Sequence, residues 1–379
     1  MICMYRQTID VVKGDAIQDG GATHTYELET SGFLSYIDLY AAWTRNASAA
    51  DIVKGSILDY ITAVEVIGNS SEIILSLDGR ELAALVYYMQ KSPATERRTE
   101  VASASQILHI PIPFGRFLWD PEYALDLSKW DLVELNITYS DPIDTTGFAS
   151  GTFTVREKFL RDYEGPKGYL KTYEANTWDP PSDVSEKTVD FPKKHPIRLA
   201  MISCLLDEPA RNAAYAYEMH ECLTNVKLTY KSGDIVIFDE GLDELMRENE
   251  DMYGLVEMGG TVQGDDGDYF NTDLGYVVDG VLAVEDPATS SSLETVAGLS
   301  NFPESRLKIN EVNLSAGQAC SWKARGFAYM HSAIFHFDPY NTMEHLLDPD
   351  EMATVRIKYT TTQDDLKVRT VLQQVKPIE

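Results

Sequence analysis

The clearest pattern in the chain is an alternation of apolar and polar positions over Ile61–Leu85. Val64 and Val66 alternate with polar neighbours, a polar turn follows at Gly68–Ser71, and the alternation then resumes. This period of two is typical of half-buried strands, whose side chains point to opposite faces in turn. After Gly79 the apolar residues lie three and four positions apart, as on one face of a helix. The stretch therefore predicts a strand, a turn, a second strand and a helix.

The same pattern recurs over Leu223–Met246. The matching residues share one separation (226 − 64 = 162; 241 − 79 = 162) and are Thr62 with Thr224, Val64 with Val226, Ser70 with Ser232, Ile73 with Ile235, and Gly79 with Gly241. A shared register across several elements indicates an internal duplication.

Further matches follow in the same order in both halves. They are Phe33–Trp43 with Ile197–Leu206, Arg45–Ala47 with Arg211–Ala213, Leu132–Tyr139 with Met352–Tyr359, and Phe153–Phe159 with Leu366–Leu372, where Val155-Arg156 corresponds to Val368-Arg369. Each half is therefore predicted to be one domain of many short strands with a helix after an inner hairpin.

The predicted domains are 1–164 and 197–379, joined by a connection over 165–196 that is rich in proline and charge. Residues Met1–Thr23 are predicted to be an arm. The second half carries a long acidic loop insertion at about 247–320, with strands of its own predicted at Tyr276–Val284 and Leu307–Leu314. Pro111 and Pro113 predict that the strand over Ile107–Phe117 bends or lies at an edge.

Composition narrows the function. The 379 residues carry a formal net charge of −28, which argues against direct nucleic-acid binding because phosphate backbones are repelled. Cys3, Cys204, Cys222 and Cys320 have no zinc-ligand spacing and are expected to be reduced thiols. The N-terminus does not have the pattern of a signal peptide, and no apolar run approaches the roughly 20 residues of a spanning helix.

One acidic run is a candidate calcium site. Asp265, Asp266, Asp268 and Asp273 lie close together in Gly264–Asp273, and clustered carboxylates suit hard cations. The spacing is not that of an EF-hand loop and the bidentate Glu is missing, so a solvated acidic loop is the favoured interpretation. No other cofactor or metal is expected.

Other chemistry-bearing residues form no catalytic pattern. His331, His336, Asp338 and His345 are the densest ligand-type cluster, but residues 331 and 336 face opposite sides of a strand. The chain lacks a nucleophile elbow, a P-loop, a dinucleotide-binding motif and a zincin motif. Four tryptophans can form a sugar-binding platform or pack in cores: Trp43, Trp119, Trp130 and Trp322.

Two tandem β domains without a catalytic motif resemble the double jelly-roll major capsid proteins of icosahedral viruses that contain an internal membrane. The units Ile61–Leu85 and Leu223–Met246 carry the resemblance, together with the Ile107–Tyr139 segment. It implies an all-β chain of two tandem eight-stranded jelly rolls with short helices and long loops. Gly254–Leu314 departs from a minimal version, and in the family such loops grow into towers on the outer surface.

The resemblance further implies a structural protein of the virion, assembled in the host cytoplasm, with no catalytic residue. Three copies would form a pseudo-hexagonal homotrimeric capsomer of an icosahedral shell, with penton or minor capsid proteins as further partners. Met1–Asp15, or Val375–Glu379 with Lys376, would contact the internal lipid membrane or a neighbouring capsomer.

Two other classes of protein fit parts of the pattern. A carbohydrate-binding β-sandwich protein, lectin-like or a glycoside hydrolase accessory module, would present an exposed Trp/Tyr platform and a calcium-dependent site. A bicupin enzyme also has duplicated barrels, but metal ligands are missing from both halves of this chain.

Overall fold

The computed structural model describes residues 4–47, 56–143, 147–182, 184–206, 219–263, 269–273, 277–285, 295–297, 306–310, 319–350, 354–362 and 366–378. The elements of the first half are β1 (Tyr5–Ala16), β2 (Ala22–Glu27), β3 (Phe33–Arg45), β4 (Ile61–Gly68), β5 (Glu72–Leu77), α1 (Gly79–Gln90), β6 (Thr95–Glu100), β7 (Ser105–Pro113), β8 (Leu125–Asp126), β9 (Val133–Tyr139) and β10 (Phe148–Arg161).

The second half begins with strands and helices in a corresponding order. They are β11 (Gly168–Trp178), β12 (Ser185–Asp190), β13 (Ile197–Leu206), α2 (Met219–Cys222), β14 (Leu223–Tyr230), β15 (Ile235–Glu240) and α3 (Leu242–Tyr253). The remaining elements are β16 (Val256–Gln263), β17 (Tyr269–Asp273), β18 (Val277–Glu285), β19 (Thr295–Ala297), β20 (Arg306–Asn310), β21 (Ala319–Phe327), β22 (Ser332–His336), β23 (Arg356–Thr361) and β24 (Leu366–Pro377).

Strand order shows the duplication directly. The first half forms the four-strand rows β1-β10-β3-β7 and β2-β9-β4-β5, and the second forms β11-β24-β13-β22 and β12-β23-β14-β15. Inward residues from both rows of the first half, such as Leu39 and Val66, are fully buried in one core. Two packed four-strand rows of this order make a jelly roll. The predicted all-β fold of two tandem eight-stranded jelly rolls is confirmed.

The matching hairpins differ by one residue in their turns. Gly68 pairs with Glu72, whereas Tyr230 pairs with Ile235, so the second turn is one residue longer (72 − 68 = 4; 235 − 230 = 5). Equivalent positions are 162 residues apart in β4 and β14 but 163 apart from β5 onwards, as for Ser76 and Asp239 (239 − 76 = 163). The sequence matches of Ile73 with Ile235 and of Gly79 with Gly241 are wrong by this one residue.

Two stretches predicted to be irregular are strands. The predicted arm Met1–Thr23 contains β1, which pairs antiparallel with β10. The predicted connection 165–196 contains β11 and β12, which pair with β24 and β23. β1 of the first half and the first two strands of the second half, β11 and β12, were therefore not predicted as strands.

The proline-containing strand behaves as predicted. β7 pairs with β3 along its whole length, but β6 covers only the part up to His109. Pro111 and Pro113 lie beyond β6, where a missing N–H donor leaves no ladder bond unmade.

The insertion starts after Tyr253, because α3 occupies the residues from Leu242. β16 pairs in parallel with β6 and extends the first sheet through β21 and β18. The strands predicted at Tyr276–Val284 and Leu307–Leu314 are found as β18 and β20, although residues 311–314 lie outside the described part. β17, β20 and β19 form a small separate sheet.

The apolar interior forms two clusters. One fills the second roll, whereas the other fills the first roll and continues into the second through residues such as Tyr329, Ile334 and Val371. Helices of the described residues are all too short or too polar to cross a membrane.

Candidate assembly surfaces

The two rolls meet side by side. β5 of the first roll pairs in parallel with β11 of the second, through Leu75 with Thr172 and Ser76 with Tyr173. This pairing joins two four-strand rows into one eight-stranded sheet, β2-β9-β4-β5-β11-β24-β13-β22. Backbone hydrogen bonds therefore fix the position of one roll against the other.

Helix α1 lies on the same flank as β5. A capping box closes its first turn, since the Asp78 carboxylate accepts a hydrogen bond from the Glu81 N–H at 2.7 Å and the Glu81 carboxylate accepts one from the Asp78 N–H at 3.0 Å. Lys91 follows in the left-handed region (φ 55°) and ends the helix. Every residue from Gly79 to Met89 is buried, so α1 is covered on all sides.

The second roll supplies the cover over α1. The Tyr88 hydroxyl donates to the Ser332 carbonyl at 2.6 Å, and the Tyr87 hydroxyl donates to the Gly254 carbonyl at 2.9 Å. The ring of Tyr329 lies 5.4 Å from that of Tyr87. A helix that is apolar on every side is stable in this position because both rolls exclude water from it.

Arg369 of β24 is the charged centre of this contact. Its guanidinium pairs with the Asp78 carboxylate and lies 3.7 Å from the carboxylates of Glu81 and Glu174. Burial alone would lower the pKa of Arg369, but Asp78 and Glu81 outweigh it and raise the pKa. Burial, and then Asp78, raise the pKa of Glu81 well above its ordinary value. The guanidinium therefore neutralises a helix N-terminus crowded with carboxylates.

A second group of ion pairs joins β5 to β11 and β24 in the same contact. The Glu72 carboxylate accepts from the Lys171 ammonium at 3.0 Å and lies 3.3 Å from that of Lys376. Although burial opposes it, hydrogen bonding to Lys171 lowers the pKa of Glu72. The in-chain contact thus combines a strand pair, a buried helix and matched charges.

In the described part of the chain, no strand pairs with the outer edge of β15 on the corresponding flank of the second roll. At equivalent positions of the two inner hairpins, Ile74 is fully buried whereas Ile237 is 43% exposed. Ile235 and Val236 are exposed as well, so β15 presents three consecutive apolar residues to solvent. Isolated apolar residues on a surface are common, but a run along a strand edge marks a contact surface.

Helix α3 is amphipathic where α1 is buried throughout. Leu242, Leu245 and Met246 face the core of the second roll, whereas Glu244 and Arg247 are exposed. At the seventh position of each twelve-residue helix, α1 has buried Leu85 and α3 has exposed Glu248. The outer face of α3 is therefore charged.

Among the strands that the structure describes, none pairs with the opposite flank of the first roll. β1 is the last strand of its sheet, and Met4 and Tyr5 at its start are about half exposed. Arg156 of β10 occupies the place that Arg369 has in β24, and it donates to the Asp10 carboxylate at 3.0 Å. This flank corresponds to the surface by which the second roll contacts the first.

Both ends of the described chain lie at one end of the rolls. Tyr5 pairs with Arg161 and Gly168 pairs with Pro377, next to the link between the rolls. A cavity of about 300 Å³ opens at this end, lined by residues that include Lys194, His195, Lys376, Lys129 and Trp130. Burial, and then the nearby lysines, lower the pKa of His195.

The insertion leaves from the opposite end. β3 starts near Arg161 and ends at Arg45, whose guanidinium donates to the Thr99 carbonyl of β6 at 2.9 Å. Thr99 pairs with Thr261 of β16, the first strand of the insertion. Termini and insertion are therefore separated by the length of the barrels.

The predicted calcium candidates cannot be placed. Asp265, Asp266 and Asp268 lie outside the described residues, and of Asp273 only the backbone, at the end of β17, is described. Among the described residues, no three His, Cys, Asp or Glu side chains gather as metal ligands.

The structure places the candidate histidines in ordinary surroundings. His331 is buried in the turn Tyr329–His331, and the His336 imidazole is hydrogen-bonded to the Tyr253 hydroxyl. Burial, and then the charge of Arg198, lower the pKa of His336 to about 3, so it is neutral. Asp338 accepts from the N–H groups of Thr342 and Met343, both at 3.0 Å.

The tryptophans do not form one platform. Trp43 and Trp322 are buried in the first core. Trp119 packs against Tyr36 with ring centroids 5.2 Å apart, and Trp130 packs near Tyr169 at 6.4 Å. They are therefore distributed over separate parts of the molecule.

The residues of the in-chain contact were not predicted from the sequence. Two signals were available for them. The sequence of α1, GRELAALVYYMQ, has apolar residues on every face, which indicates a helix covered on all sides. Arg156 and Arg369 occupy corresponding positions of the two repeats. An arginine at the same outward-facing position in both repeats indicates a charged contact that recurs.

Comparisons with known proteins bear on the fold. No protein-family model matches the chain, and no curated protein matches it in sequence. The chain is similar to the crystal structure of the MCP of STIV, the Sulfolobus Turreted Icosahedral Virus, with 14% identity, a TM-score of 0.61, and coverage of 98% of this chain and 97% of that chain.

Two further viral proteins are similar over their whole length. The PBCV-1 virus capsid is 10% identical with a TM-score of 0.54, covering 99% of this chain and 94% of that one. Major capsid protein P2 from bacteriophage PM2 is 8% identical with a TM-score of 0.53, covering 99% and 98%. At such low identity the likeness concerns the fold, and the chain has the double jelly-roll fold of these viral capsid proteins.

Proposed function

We propose that this chain is a viral major capsid protein whose homotrimers are pseudo-hexagonal capsomers of an icosahedral shell around an internal membrane. One observation carries the proposal: two jelly rolls of identical strand order lie side by side, and this arrangement matches the STIV MCP over 97% of its chain. Function then lies in surfaces between copies, and no residue is catalytic.

Duplication accounts for the tile geometry. Three chains present six similar rolls, so a threefold ring has nearly hexagonal outline and packs against six neighbours. The rolls stand side by side because their flanks carry the contact surfaces and their ends carry loops. Partners would be further copies, penton or minor capsid proteins, and lipid.

The charge distribution supports one orientation. Lys194 and Lys376 lie near the termini, and lysine ammonium groups suit the phosphates of lipid headgroups. The acidic insertion leaves from the other end, which would face outward and keep particles apart in solution. A net charge of −28 disfavours direct genome contact. The protein would reside in the virion after assembly in the host cytoplasm.

Light scattering coupled to size exclusion, followed by electron microscopy of the purified protein, tests the proposal. A trimer has a mass of about 127 kDa (3 × 42.4) and should show six densities in a ring. A monomer at all protein concentrations and salt concentrations, or particles without the sixfold outline, would contradict it.

The carbohydrate-binding alternative has less support. It requires exposed aromatic side chains on one surface, but Trp43 and Trp322 are in the core. Binding of the monomer to glycans on an array, dependent on calcium, would favour that alternative.

A further inference from the structure

We infer that β15 of one copy pairs in parallel with β1 of the next copy, repeating between chains the β5–β11 contact made within the chain. The inference rests on the proposed capsid function and names the surfaces by which its subunits join. In-chain and between-chain contacts would then alternate around the ring.

Both strands have an edge available. β1 ends the sheet that continues through β10, and β15 ends the row β12-β23-β14-β15. In the described part of the chain, neither strand has a second partner. A strand edge exposes N–H and C=O groups that readily pair with another chain.

The internal duplication supplies the register. Leu372 and Phe159 are equivalent residues of β24 and β10, and they pair with Tyr173 and Gln7 respectively. Tyr173 lies opposite Ser76, whose equivalent is Asp239. The same geometry between copies therefore sets Gln7 opposite Asp239.

One step back along the strands, Arg6 lies opposite Phe238, and two steps back Tyr5 lies opposite Ile237. Tyr5 is 50% exposed and Ile237 is 43% exposed. The in-chain counterpart of Ile237 is Ile74, which is fully buried and precedes the residues of β5 that pair with β11. The register of the in-chain contact thus places these two exposed apolar residues opposite each other.

Where the in-chain contact has one charged residue on each strand, the proposed contact between copies has one apolar residue on each strand. Within the chain, Lys171 of β11 pairs with Glu72 of β5. Their equivalents are Tyr5 and Ile235, both exposed and both apolar over most of their surface. An ion pair in one contact has become an apolar pair in the other, as expected if the two strands evolved against each other.

Charged residues on the flanking elements recur at corresponding places. Arg156 has the place of Arg369, and Glu244 of α3 has the place of Glu81, which lies 3.7 Å from Arg369. Within one copy Arg156 is paired with the Asp10 carboxylate at 3.0 Å. The same geometry between copies brings the Glu244 carboxylate near the Arg156 guanidinium, as Glu81 lies near Arg369 within the chain.

Because the contact joins two different surfaces, it forms rings or filaments rather than isologous dimers. The occupant we assign to β15 is therefore a second copy of this chain, with a ring closed at three copies.

A disulfide trap tests the register. In a Cys3→Ser background, Gln7→Cys and Asp239→Cys are combined, because adjacent paired residues bring Cα atoms within the 4.4–6.8 Å that a disulfide spans. Mild oxidation and non-reducing gels should show covalent dimers and trimers. The matched control combines Gln7→Cys with Asp234→Cys, at an exposed residue about 17 Å out of register (five residues at about 3.3 Å each), and should give at least tenfold less product.

Light scattering of the same samples separates the two proposals. Trimers that carry the cross-link support the strand pairing. Trimers in which Gln7→Cys/Asp239→Cys gives no more cross-link than the single variants overturn it and leave the proposed function standing. Absence of any oligomer contradicts both.

A second variant tests the surface without cysteine chemistry. Ile237→Asp should weaken trimer formation at least tenfold and leave the melting temperature of the monomer unchanged, because Ile237 is already solvent-exposed in one copy. Val184→Asp, at an exposed apolar residue outside this surface, is the control and should assemble as wild type. Unaltered assembly of Ile237→Asp would overturn the inference.

Discussion

Helices α1 and α3 occupy the same place in two copies of one design, yet only α1 is buried on all sides. The strands under them are alike in order, and the difference lies in what stands beside each roll. The first roll has the second roll against this flank, whereas on the same flank of the second roll the described residues Ile235, Val236 and Ile237 are exposed. After the duplication, the residues on this flank have therefore diverged according to what lies beside each roll, whereas the strand order of the barrel has not changed.

The pattern of exposed residues extends this comparison to the strands. α3 has a charged outer face, as a helix in contact with water or with a polar partner should have. β15 instead keeps three apolar residues on its exposed edge, which water alone does not favour. The flank of the second roll thus has the composition of a contact surface that is empty in one copy.

The largest effect is expected from truncating the buried helix. Leu85→Ala should lower the free energy of unfolding by about 2–5 kcal/mol, because Leu85 is fully buried between the rolls and leaves a cavity. Glu248→Ala, at the equivalent exposed position, should change it by less than about 0.5 kcal/mol. Urea denaturation followed by fluorescence measures both.

Equal effects of these two variants would contradict the contrast between the flanks. The measurement is made at a protein concentration where wild type is monomeric, so that assembly does not add to the stability of either variant.

A second prediction uses a core position where the rolls differ. Glu157 of the first roll and Thr370 of the second are equivalent and almost fully buried. Burial raises the pKa of Glu157 from 4.5 to about 7, although a hydrogen bond from the Glu29 N–H at 2.9 Å favours ionisation. The folded state therefore holds this proton more tightly than the unfolded state does.

The sign of the pH dependence follows. Below pH 4.5 the carboxyl is protonated in both states, and as pH rises through about 7 the folded state loses stability relative to the unfolded state. Glu157→Gln should therefore gain stability over wild type between pH 5 and pH 8 by about 3 kcal/mol. A constant difference between the two proteins across this range of pH would be inconsistent with the raised pKa.

Alternation and the internal repeat predicted two domains of many short strands, and the resemblance to double jelly-roll capsid proteins implied their arrangement as barrels. β3 and β4 have the period of two over most of their length. β13 is buried at every position from 197 to 204 and was predicted from its match to β3 in the repeat. β1 and β11 were missed because β1 alternates weakly, as an edge strand does, and β11 is flanked by prolines that suggested a connection.

The contact surfaces were less predictable. Ile74 and Ile237 are equivalent isoleucines on the same side of the hairpin, and the sequence around them does not say which is covered. Whether this isoleucine is buried depends on which distant strand packs against its flank, and for Ile74 that strand is β11. In the local sequence, the apolar residues on every face of α1 indicated that this flank of the first roll is covered.

The smallest effect is expected from removing the ion pairs of Glu72 in the in-chain contact. Glu72→Gln removes the pairs with Lys171 and Lys376, whose side chains are partly exposed, and should cost at most about 1 kcal/mol of unfolding free energy. The loss should shrink in 1 M salt, where such charges are screened in wild type as well. Ile235, at the equivalent position, pairs with β14 on one side, and among the described residues no strand lies on its other side. Ile235→Gln should therefore leave the unfolding free energy of the monomer unchanged, because this side chain is already exposed, while trimer formation weakens. A salt-independent loss for Glu72→Gln, or a destabilised monomer for Ile235→Gln, would show that the two flanks do not differ in the way that their exposure indicates.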